Sequence, residues 1–146
     1  MNKAFIREAD AHDPCCPRCA ALGVEVLPAA LATYLSPQHR HRLAASVYFC
    51  PTPSCPVAYF DALEGSVTAD DLLLPAYPKD PDAPICACFA FSHADIELDV
   101  AEGVPRRVRE LLTKAKSPQA RCEERSPTGR CCIAEVQRQY MKLRSG

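Results

Sequence analysis

The sequence predicts an α+β protein in which a small β-rich unit is followed by a compact helical one. Short apolar stretches with strand-like patterning fill the first half, helical spacing takes over in the second, and a proline-rich segment separates them. The expected boundaries are residues 1–13 for a flexible N-terminus, 14–74 for the β-rich unit, 75–84 for a semi-rigid connector and 85–146 for the helical unit.

In the first half, Gly23 to Leu27 alternates as a half-buried strand does, Ser46 to Phe49 leads into Cys50, and Val57 to Phe60 follows Cys55. The last two segments are expected to form a hairpin whose loop runs from Cys50 to Cys55. Between Pro28 and Leu43 the pattern allows one or two short helical turns broken at Pro37, and Val67 to Leu74 reads as a further strand. In the second half, Ser92 and Asp95 form a capping box ahead of Ile96, Leu98 and Val100, and Gly103 stops that helix. Pro105 is placed at the first position of a second helix, which carries Val108, Leu111 and Leu112 and runs to about Lys116. Ile133, Val136, Tyr140 and Leu143 line one face of a third helix that begins just after Cys131 and Cys132.

Ten cysteines in 146 residues fall into four clusters: Cys15/Cys16/Cys19, Cys50/Cys55, Cys86/Cys88 and Cys122/Cys131/Cys132. In a secreted chain such density would indicate a disulfide scaffold. The first residues lack the apolar stretch of a signal peptide, and no segment approaches the roughly 18 uncharged apolar residues of a membrane span. The expected location is therefore a reducing cytoplasm, where clustered cysteines bind metal. A net charge of −1 gives no general attraction to nucleic acid or to an anionic membrane. Locally, Arg106, Arg107, Arg109, Lys114, Lys116, Arg121, Arg125 and Arg130 make a basic stretch, after an acidic run at Asp95, Glu97 and Asp99. It reads as a solvated helix face, or as positive charge placed near an anionic metal–thiolate centre or for an acidic redox partner. No grouping of nucleophile, base and oxyanion donors stands out, which argues against hydrolytic or acyl-transfer catalysis and leaves metal-ion reduction or electron transfer as the enzyme-like reading.

Structural zinc takes four thiolate or imidazole ligands in a closed tetrahedron, usually delivered as two closely spaced pairs. Cys16-Pro-Arg-Cys19 and Cys50 with Cys55 supply such pairs, with Cys15 as the alternative to Cys16. The first half thus reads as a zinc-ribbon-like unit. Cys86 and Cys88 are different: with one residue between them they diverge on an extended chain, which suits a cluster of separated irons better than one small ion. Their partners lie between Arg121 and Cys132, where Pro127 and Gly129 bend a loop, so four thiolates can enclose a [2Fe–2S] cluster. Both cysteine groups precede expected helix starts, where N–H groups stabilise negative charge. His12, His39, His41 and His93 are assigned surface or capping roles, and Asp13 and Asp61 are unneeded beside four thiols.

These motifs, in this order, resemble the N-terminal metal-binding domain of CopZ-type copper chaperones, from Cys16-Pro-Arg-Cys19 through Cys50 and Cys55 to Pro84-Ile-Cys86-Ala-Cys88 and Cys122 through Cys132. The resemblance implies zinc on Cys16, Cys19, Cys50 and Cys55, and a [2Fe–2S] cluster on Cys86, Cys88, Cys122 and one of the final pair. The second half is also similar to the helical bacterioferritin-associated ferredoxin, whose last ligand lies four residues before an apolar helix position. That spacing matches Cys132 to Val136 and favours Cys132, with Cys131 the alternative. The copper-carrying Met-x-Cys-x-x-Cys loop of such chaperones is missing from the sequence, so copper delivery by these residues alone is not expected. The function expected is a cytoplasmic iron–sulfur and zinc protein of metal homeostasis, copper above all. It would transfer one electron or sense redox state in support of a separate metal carrier or transporter, together with a redox partner. The alternative is a non-redox, double-zinc protein-interaction module, and direct storage of Cu(I) ranks last.

Overall fold

A computed structural model describes residues 14–145. The segment expected to form a flexible N-terminus, with His12 and Asp13, lies outside the described residues. Among the described residues, four strands form one antiparallel sheet in chain order: β1 (Val24–Glu25), β2 (Tyr48–Phe49), β3 (Val57–Phe60) and β4 (Ser66–Thr68). Val24 faces Phe49 across β1 and β2, and Phe49 faces Tyr59 across β2 and β3. A register irregularity between Val57 and Tyr59 breaks the alternation of β3, so all four of its residues are buried. Ala58 and Tyr59 enter the main core of this unit, while Val57 and Phe60 pack beside the thiols of Cys16, Cys50 and Cys55.

Two short helices, α1 (Pro28–Tyr34) and α2 (Pro37–His41), link β1 to β2. Each opens on a proline, whose missing N–H is no loss at a helix start. Pro37 also pushes Ser36 into extended backbone, which ends the first helix and lets the Ser36 hydroxyl accept from the His39 N–H at 3.2 Å. α1 turns Ala30, Leu31 and Tyr34 onto the sheet, against Val47, Phe49, Tyr59 and Val67. The strand expected over 67–74 is shorter and earlier: it ends at Thr68, and Ala69–Asp71 form a 3-10 turn. The apolar run beyond it does not continue the sheet, and Leu73 and Leu74 face solvent.

The helical unit contains α3 (His93–Glu102), α4 (Arg106–Ala115), α5 (Cys122–Arg125) and α6 (Ile133–Ser145). The Ser92 N–H donates to the Asp95 carboxylate at 2.9 Å to start α3, and Gly103, at φ +80°, ends it in the left-handed conformation. Ile96 is buried, whereas Leu98 projects into solvent because residues two apart do not share a helix face. Pro105 is the cap of α4 and not its first residue. A proline-bound start has no side chain to cap it, and the fully buried carboxylate of Asp99 on α3 serves instead. It accepts the Arg107 and Val108 N–H groups at 3.2 and 2.9 Å and pairs with the Arg107 guanidinium at 3.0 Å. Val108, Leu111, Val136 and Tyr140 close the core around Ile96. Among the described residues, no helix is long and apolar enough to cross a membrane.

The proline-rich segment packs against both units. Ala76 is buried in the first core, Tyr77 packs against the second, and the Tyr77 hydroxyl donates to Glu135 of α6 at 3.0 Å. Lys79 donates to the Thr52 and Cys55 carbonyls, tying the segment to the loop between β2 and β3.

Candidate metal centres

Two tight turns meet at the first centre. In the turn after β-bridged Cys15, the Cys16 N–H bonds to the Ala21 carbonyl and the Ala20 N–H to the Cys16 carbonyl, at 2.8 and 2.9 Å. Ala20 takes a φ of +66° to close this turn, and the Arg18 N–H lies 3.5 Å from the Cys16 sulfur. The second turn hangs from β2 and β3, with the Cys50 N–H on the Ala58 carbonyl at 2.9 Å. The Sγ atoms of Cys16, Cys19, Cys50 and Cys55 all lie within 4.8 Å of one another, with Cys16 to Cys55 at 3.8 Å and Cys19 to Cys50 at 3.5 Å. Zinc–sulfur bonds of about 2.3 Å in a tetrahedron give sulfur separations of about 3.8 Å, so this thiol set fits one zinc ion. Cys15 is exposed and stands outside the group, while Cys16 is buried in it.

The thiols of this centre differ in proton affinity. The Thr52 hydroxyl, 3.3 Å from the Cys19 sulfur, is the main reason that Cys19 falls to about 6, with the Ala21 N–H adding to it. Burial pushes Cys55 up to about 11. At neutral pH in the absence of metal, Cys55 therefore keeps its proton, and zinc must displace it. Zinc binding is expected to release at least this proton, so apparent affinity rises about tenfold per pH unit for each proton released. Zinc titrations at pH 6 and pH 8, with proton release followed in weak buffer, check this; a pH-independent affinity contradicts it.

The second centre draws on three segments. Residues 86–91 fold back on themselves, Cys86 and Phe91 exchanging backbone bonds at 3.1 and 3.0 Å, with Ala90 at φ +54° in the turn. Cys122 opens α5, and Cys132 sits immediately before α6, its carbonyl accepting the Val136 N–H at 3.0 Å. The sulfurs of Cys88 and Cys122 are 3.9 Å apart. The neighbouring Cys132 thiol lowers Cys86 to about 6, and the Cys86 thiol, followed by burial, pushes Cys132 far up. Burial, followed by the charge of Cys88, raises Cys122 to about 12. Cys131 is exposed, whereas Cys132 packs against the helical core. Among the described residues, only the first four thiols lie all within 4.8 Å of one another. In the second set Cys122 lies beside Cys88, and Cys132 packs into the core that holds Cys86.

The remaining candidates have other roles. Asp61 is buried and accepts from the N–H groups of Ala44, Leu63 and Gly65 at 2.7 to 2.9 Å, which fixes the turn between β3 and β4. His39 bonds to Ser36 at 3.0 Å and lies 3.9 Å from Asp71, and His93 lies 3.7 Å from Glu97. His41 ends α2. Of the basic stretch, Arg107, Arg121 and Arg130 pair with Asp99, Glu124 and Glu25 respectively. No motif marks Tyr34 and Tyr59, whose hydroxyls donate to the carbonyls of Arg125 and Pro127 in the loop that leads to Cys132. Burial raises Tyr34 to about 12 and Tyr59 well above the ordinary tyrosine range, so both remain donors at neutral pH. Their apolar neighbours in sequence are the only signal: a core tyrosine needs a partner for its hydroxyl.

Residues 13–73 match the family model described as a zinc binding domain of the CopZ type. No curated protein matches the sequence. Among solved structures, the chain is similar to the N-terminal domain of CopZ from Archaeoglobus fulgidus, with 25% identity and a TM-score of 0.68 over 86% of this chain and 96% of that one. The chain thus carries, over residues 13–73, a zinc-binding domain similar to that of CopZ, within a fold similar along most of its length to the CopZ N-terminal domain.

Proposed function

We propose that this is a cytoplasmic metal-homeostasis protein, serving copper handling above all, in which zinc holds the first unit together and Cys86, Cys88, Cys122 and Cys132 hold a [2Fe–2S] cluster. The observation that carries the reading is the arrangement of the second four thiols: the sulfurs of Cys88 and Cys122 lie 3.9 Å apart, Cys86 and Cys132 pack into one core, and the four do not close into a single group with every sulfur within 4.8 Å of the others. A tetrahedral ion brings every pair of its ligands to about 3.8 Å, whereas a two-iron cluster gives each iron two terminal thiolates. When bound, the cluster supplies a one-electron couple.

The chain's own residues prepare the site. Cys132 lies at the start of a 13-residue helix, where free N–H groups favour negative charge. Phe89, half-buried, and Phe91, buried, pack in the same helical core as Cys86, Cys88 and Cys132. The partners would be a separate copper carrier or transporter, which this protein serves by reduction or redox sensing, and a one-electron donor.

Protein purified without oxygen is expected to be red-brown, with visible sulfur-to-iron absorption that bleaches on addition of dithionite. A colourless protein after anaerobic addition of iron and sulfide, binding a second zinc instead, would select the double-zinc interaction module.

A further inference from the structure

The segment that brings Cys122 and Cys132 to the second centre contains one helix of four residues, too short to hold its own position. Its anchors come from the zinc-binding unit. The Tyr34 hydroxyl on α1 donates to the Arg125 carbonyl at 2.6 Å, and the Tyr59 hydroxyl on β3 donates to the Pro127 carbonyl. The Leu27 N–H donates to the Thr128 carbonyl at 3.0 Å, and Arg130 returns to the Glu25 carbonyl at 3.1 Å. Gly129 sits at φ +81°, and a Cβ there would lie 2.7 Å from Leu27 Cβ, so the loop meets the cap residue of α1 at an approach that only glycine allows. Both tyrosines are almost wholly buried, and Tyr59 lies on the strand that follows zinc-site Cys55.

We infer that Tyr34 and Tyr59 are positioning residues for the second thiol centre: from the zinc-binding unit they hold the 122–132 loop where Cys122 meets Cys88 and Cys132 packs into the core that holds Cys86. Retention of a metal cluster at the second centre then depends on the folded first unit. The positioning role is a property of the chain itself, while its consequence for the cluster rests on the function proposed above.

The test uses the full-length, zinc-loaded protein in three forms: wild type, Tyr34→Phe/Tyr59→Phe, and Gly129→Ala. Before iron is added, hydrogen exchange of the amides between Ser126 and Arg130 is expected to quicken about tenfold in both variants, with zinc content and exchange in α6 unchanged. After anaerobic addition of iron and sulfide, visible absorption is expected to decay about tenfold faster in the variants on challenge with an iron chelator. Loop exchange equal to wild type in both variants overturns the positioning role. Altered exchange with unchanged cluster release overturns the dependence of the second centre on the first. If wild type takes up no iron and sulfide, the cluster assignment and that dependence fail, while the exchange measurement still decides whether the phenols hold the loop.

Discussion

Cys50→Ser should abolish tight zinc binding and unfold the β-rich unit at room temperature. Cys50 has no solvent exposure, and its sulfur lies 3.5 Å from that of Cys19. The unit has a modest apolar core and only short strands, the shortest two residues long. Small domains of this kind depend on a metal, and structural zinc in zinc-finger peptides supplies an apparent 10–16 kcal/mol at neutral pH, roughly the whole stability of an ordinary domain. Serine does not offer a thiolate, so most of that contribution is lost. Zinc content after dialysis and amide dispersion in NMR spectra measure the effect; a well-dispersed spectrum for residues 14–73 without zinc would contradict it. Cys15→Ser, at an exposed position outside the four-thiol group, is the matched control and should retain zinc.

Asp99→Ala should destabilise the helical unit by about 3–5 kcal/mol, because it leaves Arg107 without its buried carboxylate and two N–H groups of α4 without an acceptor. Asp99→Asn keeps the shape and one acceptor oxygen, and a loss of about 1–3 kcal/mol is expected for it. Urea unfolding of zinc-loaded protein distinguishes the two. Equal, small losses for both substitutions would show that α4 is capped by solvent instead. The nearby Arg106 to Glu102 pair is exposed, and its removal should change stability by no more than about 1 kcal/mol.

What was legible in the sequence was local. The Cys16-x-x-Cys19 turn, the loop between Cys50 and Cys55, the helix break at Pro37 and the Ser92 to Gly103 helix are each set by residues within a few positions of one another, and their spacing carries the information. The four-thiol group of the first centre follows from two such local turns. The 3-10 turn at Ala69–Asp71 was hidden because Leu72, Leu73 and Leu74 look like the end of a strand although two of them face solvent. The short helix at Cys122–Arg125 has no sequence signature, since one helical turn has no periodicity to detect. The caps and anchors were the least visible. Asp99 acts on N–H groups eight and nine residues away, and Tyr34 and Tyr59 act on carbonyls 91 and 68 residues away. Backbone acceptors leave no mark in side-chain identity. The proline-rich residues 75–84 have the composition of a connector, yet Ala76 and Ala83 are buried and Lys79 is bound at both of its carbonyl partners, because a small residue or a flexible amine can be recruited to packing without changing composition.

Metal content tests most directly whether the two thiol centres are unlike, one holding a single zinc and the other a two-iron cluster. Iron, acid-labile sulfide and zinc should be quantified on one anaerobic sample, with low-temperature EPR of the same sample after reduction. About two iron, two sulfide and one zinc per chain are expected, with the signal of a reduced [2Fe–2S] cluster. About two zinc per chain with neither iron nor sulfide, and no EPR signal on reduction, would contradict it.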